Sequence, residues 1–99
     1  MFSISKDKDI KRFLKNILTD PINKINGVNC IKDIKGKMII DNREIICDIF
    51  LIVNYGTVIS DVSWHVQNVT KEILSSIEDI KIKSINIHVI GVNKENFDD

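Results

Sequence analysis

Excess charge of either sign is missing from this sequence. Its 99 residues carry 14 Lys and Arg against 14 Asp and Glu, a formal net charge of zero. A general affinity for nucleic acid or anionic lipid needs a concentrated positive field, so the balance argues against either as a whole-molecule property but leaves room for a local patch. Long apolar runs are missing too. No stretch approaches the roughly 18–20 consecutive apolar residues that a bilayer crossing requires, so direct membrane insertion is not expected. The opening MFSISKDKDIKRF interleaves charged and apolar side chains and holds no apolar run of signal-peptide length. Cysteine is sparse: Cys30 and Cys47 are the only two. The expectation is a cytosolic chain with reduced thiols, whose membrane association, if any, is peripheral and through a partner. Repeats and low-complexity tracts are absent. One domain over residues 1–92 is expected, followed by an acidic tail over 93–99, NKENFDD.

Apolar periodicity supplies the elements. Ile10, Phe13, Leu14, Ile17 and Leu18 recur at helical spacing, which predicts a first helix over 7–20, ended by Pro21. VNCIKDI and KMII read as two strands flanking a Lys35-Gly36 turn, and Asp41-Asn42-Arg43 as a second turn. EIICDIFLIVNY is the longest strand, closed by Gly56. Ser60 then reads as an N-cap, with Asp61 favourably placed on the helix dipole. Val62, Val66, Val69, Ile73 and Ile77 trace the buried stripe of a second helix. SINIHVIGV alternates as a last strand, parallel to the long one through the crossover. The expected fold is α+β: a two-layer domain in the order α-β-β-β-α-β, with a mixed sheet and both helices on one face.

That arrangement leaves one sheet face without a cover. Along the long strand, Ile45, Cys47, Ile49, Leu51 and Val53 form an unbroken apolar row for the core. The opposite row, with Ile46, Phe50 and Ile52, and His88 and Ile90 on the last strand, is rich in large apolar groups and has no helix left to shield it. At about 25 cal/mol per Å², hiding several such side chains is worth several kcal/mol, and a partner is the simplest cover.

Tyr55-Gly56, Ile59, Val62, Val66, Gln67, Lys71-Glu72 and the run from Ile85 to Val92 form an ordered set in the second half of the chain, and Asn26-Gly27-Val28 precedes the first strand. By these residues the second half of the chain resembles the alkaline-shock-protein family of bacterial envelope-stress proteins, and Asn26-Gly27-Val28 matches the family's Gly-Val lead-in to its first strand. The resemblance implies a small, cytosolic, non-catalytic protein tied to envelope homeostasis or stress response. It also implies self-assembly into homo-oligomers and, for some members, attachment through a separate membrane-anchor protein. The chain departs from the family at Asp79, where a glycine usually follows the second helix, and in lacking long charged extensions.

Rival chemistries are weakly supported. Asp61 and His65 stand at i, i+4 near Ser60 and Ser63, but adjacent helical serines aim poorly at that imidazole, and a surface ion pair is the simpler account. Cys30, Cys47, His65 and His88 are the only soft metal ligands and none are paired at zinc spacing, so neither metal nor cofactor is expected. Trp64 lies almost opposite the helix stripe; a hydrophobic staple on Ile59 is preferred for it over a pure interface role, though both can hold together. A KH-like nucleic-acid module is the alternative from another class. It lacks the GxxG clamp and a paired aromatic platform, and only Lys6, Lys8, Lys11, Arg12 and Lys15 speak for it. The interaction candidates are therefore Ile46, Phe50, Ile52, Trp64, His88 and Ile90.

Overall fold

The computed structural model describes residues 7–39 and 41–94, with Asp7 described by its backbone alone. Lys6 and residues 95–99 of the expected acidic tail lie outside the described residues. Five elements follow one another: α1 (Asp7–Asn23), β1 (Val28–Ile39), β2 (Glu44–Asn54), α2 (Ile59–Ser75) and β3 (Lys81–Asn93). β2 is the central strand, antiparallel to β1 and parallel to β3. The α2 crossover joins the two parallel strands. Both helices lie on the face of Ile45, Cys47, Ile49, Leu51 and Val53, which are essentially inaccessible. The α+β class, the mixed sheet and the one-sided helical layer are as the sequence implies.

Between the helices there are two strands where the sequence reading placed three. No turn forms at Lys35-Gly36; residues 28–39 run as a single strand, with Gly36 opposite Cys47. The glycine is needed for a different reason. A Cβ built on Gly36 would sit 2.4 Å from Leu14 Cδ1 and 2.7 Å from Ile10 Cγ2, so its bareness lets α1 settle onto the sheet. The second expected turn, at Asp41-Asn42-Arg43, is present, with Arg43 at φ 57°.

Helix boundaries also depart from expectation. α1 does not stop at Pro21 but runs one half-turn further to Asn23. A proline forfeits one backbone bond there, while the extension carries Ile22 into full burial beside Leu14 and Leu18. Burial wins. α2 begins at Ile59 with Val58 as N-cap and no capping side chain, so Ser60 lies inside the first turn rather than at the cap. Asp61 does stand in that first turn, where its charge complements the helix dipole.

The buried line of α2 is Val62, Val66, Thr70 and Leu74; Val69, Ile73 and Ile77 are only half-buried. Thr70 is fully buried and its Oγ1 has no hydrogen-bond partner. An unsatisfied buried hydroxyl costs about 1–3 kcal/mol. Thr70→Val is therefore expected to raise the melting temperature by several degrees, ~1 kcal/mol in a domain this size. A lowered melting temperature would show that the hydroxyl finds a partner.

Candidate interaction surface

The sheet face away from the helices is built on the outer row of β2. Ile46, Asp48, Phe50 and Ile52 alternate with the buried row and are each half-buried. Lateral register decides what surrounds them. Ile46 lies between Lys37 and Ser84, Asp48 between Lys35 and Asn86, and Phe50 beside His88. The Phe50 and His88 rings stack at 4.4 Å with planes 10° apart, and Lys35 Nζ stands 5.4 Å from the Phe50 centroid. His88 in turn donates from Nε2 to Asp48 Oδ1 at 3.0 Å, the tautomer that a carboxylate acceptor requires. Asn86 Nδ2 donates to the same oxygen, also at 3.0 Å. The centre of the face is thus a flat aromatic stack buttressed by a polar triad, with Ile46 and Ile52 at either end.

Not every expected member joins this surface. Both edge strands are irregular, and the shift between Leu51 and Ile52 sets Gly91, not Ile90, beside Ile52. A Cβ on Gly91 would lie 2.9 Å from Ile52 Cδ1, so the isoleucine rests over a bare backbone. Ile90 becomes the extra residue of the bulge, 56% exposed and out of the row. Trp64 belongs to the other layer. It is 61% exposed on α2 and meets the His65 ring edge-on at 5.1 Å. The staple on Ile59 does not form: with Val58 as N-cap the two residues stand five apart within one helix, where side chains do not face each other. An open groove lined by Trp64, Asn68, Lys71 and Glu72 runs beside the indole.

The constellation of Asp61, His65, Ser60 and Ser63 assembles no nucleophile. Among the described residues no ion pair joins Asp61 to His65, whose ring is turned to Trp64. Cys47 is sealed in the core, and burial, with the Asp48 charge second, pushes its thiol up to about 12. A thiol so held is no nucleophile at neutral pH. Cys30 is a free, half-buried thiol. The sequence reading missed the partners of Asp48 and Lys35. Their only signal was the period-two phase shared by Asp48, Phe50, Asn86 and His88.

Comparison with known proteins places this geometry. Residues 15–94 match the model of the alkaline shock protein 23 family, described as having a cell envelope-related function. The chain belongs to that family. Protein YloU of Bacillus subtilis (strain 168), itself uncharacterized, is 36% identical over 56 residues, 57% of this chain and 47% of YloU, so the match spans under half of that relative. Among solved structures, a MamM CTD variant superposes with a TM-score of 0.58 at 11% identity, covering 84% of this chain and 96% of that one. A manganese form of the MamM CTD gives 0.56 at 11% identity, over 81% and 96%. At that identity the likeness is one of fold. The manganese belongs to MamM; among the described residues here, no group of three His, Cys, Asp or Glu is placed to hold a metal ion.

The residues by which the chain resembles alkaline shock proteins act structurally. Val62 and Val66 anchor α2 in the core, and Gln67 Nε2 donates to the Ile85 carbonyl at 3.0 Å, tying the crossover helix to β3. Gly27, at φ 100°, leads into β1 where a Cβ would meet Val62 Cγ2 at 2.6 Å. Asp79, at the family's glycine position, takes a left-handed φ of 69°, a geometry that Asp tolerates better than most residues. No helix among the described residues is long and apolar enough to cross a membrane.

Proposed function

We propose that this alkaline shock protein family chain is a non-enzymatic interaction module that works by packing its open sheet face against a second copy of itself. Its setting is envelope homeostasis or stress response, on the cytoplasmic side and peripheral to the membrane, with Trp64 and its groove left over for a membrane-anchored partner. The observation that carries this reading is the outer row of β2: Ile46, Phe50 and Ile52 stay partly exposed, and no described segment of the chain crosses over them.

Size supports it as well. Three strands of this length make a face about 40 Å long and about 15 Å wide, roughly 600 Å² in plan. Stable interfaces bury about 800 Å² per partner, so association would use nearly the whole face and place Phe50 near its middle. The Phe50–His88 stack and the Asp48 triad hold that centre rigid in advance, which lowers the ordering entropy that binding must offset. The nucleic-acid alternative has only Lys35 and Lys37 in its favour on this face, and the Phe50 ring that could stack a base is already occupied by His88.

Light scattering of the purified chain tests the reading. The wild type is expected to run as a dimer or larger. Phe50→Lys with Ile52→Lys should give a folded monomer, because each ammonium would be buried unpaired at the contact. An unchanged mass in a variant with native circular dichroism would sink the proposal.

A further inference from the structure

The centre of the open sheet face carries an imidazole, the side chain type that switches between neutral and cationic across pH 5–8. His88 stands in the Phe50 row beside Asp48. The two side chains keep 42% and 30% of their surface exposed, so any cover over that face closes on both. Register sets the charges around the ring. From β1, Lys37 stands beside Ile46 and Lys35 beside Asp48, both exposed on the outer phase, with Lys35 Nζ 5.4 Å from the Phe50 centroid. Asp33, beside Phe50, is engaged by Lys11 of α1 at 3.0 Å. From β2 comes Asp48, and from β3 only the uncharged Ser84 and Asn86. Lys32 and Lys83, the extra residues at register shifts, fall outside these rows, and Glu44 and Lys81 are neighbours that offset each other at the far end. The rows through Ile46, Asp48 and Phe50 therefore hold one net positive charge with the ring neutral and two with it protonated.

We propose, building on association through the sheet face, that His88 is a proton-sensitive lock: two copies hold together while the ring is neutral and part as it is protonated. The Asp48 contact does not decide the sign, because it is made with or without a partner. Association adds two things to it. It strips water from the ring, which disfavours the charged form. It also sets an identical face against the first, and raising each from one net charge to two increases their mutual repulsion about fourfold. The ring has no escape to water, since the stack on Phe50 and the bond from Nε2 to Asp48 hold it flat on the sheet. Protonation further turns the Nδ1 acceptor of the neutral ring into a donor, so a hydrogen bond offered to it by a covering chain is lost. Associated copies thus bind fewer protons than free ones, and acid drives dissociation by mass action. His65, the other histidine, lies in the helical layer against Trp64 and plays no part.

The test follows the mass of the full chain by light scattering over a dilution series, at about pH 7.5 and about pH 5.5 and fixed salt. With two such rings in each contact, association is expected to be at least about tenfold weaker in acid, with circular dichroism unchanged. His88→Gln keeps an amide able to donate to Asp48 but cannot gain charge, so it should associate equally at both pH values. His65→Gln should respond as the wild type does. Lys35→Gln with Lys37→Gln leaves the stack intact and should shrink the acid effect. Equal or tighter association of the wild type in acid, or an acid effect that survives His88→Gln or brings loss of circular dichroism, would overturn the inference and leave sheet-face association standing. If His88→Gln does not associate at all, the lysine pair decides, and an undiminished acid effect there counts against the lock. A wild type that is monomeric at about pH 7.5 would instead remove sheet-face association, and this inference with it.

Discussion

Replacing Gly36 by valine is expected to leave the chain largely unfolded at room temperature. Even a single methyl there would stand 2.4 Å from Leu14 Cδ1 and 2.7 Å from Ile10 Cγ2, and Leu14 is fully buried with no solvent to swing into. Overpacking of this kind costs about 1–3 kcal/mol for a small addition and more for a branched one. A domain of this size holds only ~5–10 kcal/mol in total. Gly36→Ala is the milder probe, expected to lower stability by about 2–3 kcal/mol in urea titration. The decisive measurement is the cycle with Leu14→Ala. Leu14→Ala alone should cost about 2–5 kcal/mol through its cavity. The double variant should cost less than the sum by ~1 kcal/mol or more, because the new methyl fills space that the leucine vacates. Strict additivity would mean that Gly36 is not the seat of α1.

That glycine also shows where the sequence stops being informative. Glycine is favoured where the chain must turn and where another element must come close, and one sequence does not separate the two. Read as a turn, Gly36 split β1 in two; packed under α1, it keeps β1 whole. Pro21 and Ser60 misled in the same way. Each has a strong local preference, and each was overridden by burial, of Ile22 in one case and of the Val62–Leu74 line in the other. Features that depend on period alone were legible. The two rows of β2 alternate over eleven residues without interruption, so core face and open face could be assigned before any coordinates. What alternation does not contain is lateral register. Bulges on β1 and β3 decide that Phe50 lies beside His88 and that Gly91 replaces Ile90 beside Ile52, and bulges leave little trace in hydropathy.

Alkaline pH should destabilise this domain steeply, and Cys47 should account for most of the slope. Its thiol is inaccessible on the core row, and desolvation, followed by the charge of Asp48, raises it from an ordinary value of 9.0 to about 12. The folded chain therefore holds that proton more tightly than the unfolded chain does. Its contribution to stability is fully present below about pH 9 and is lost as pH rises toward about 12. Across the whole window the loss is on the order of 4 kcal/mol, a large share of the total for a small domain. Cys47→Val, close in volume and unable to ionise, should flatten the fall of urea midpoint with pH while leaving the remaining titrating groups in place. Thiol labelling gives an independent check: at neutral pH Cys30 should react and Cys47 should not, until unfolding exposes both. A Cys47→Val chain with the same alkaline slope as the wild type would mean that the core thiol ionises as easily folded as unfolded. In that case the inner row of β2 would not be dry, and the sealed, one-sided core that forces the other face outward would have to be abandoned.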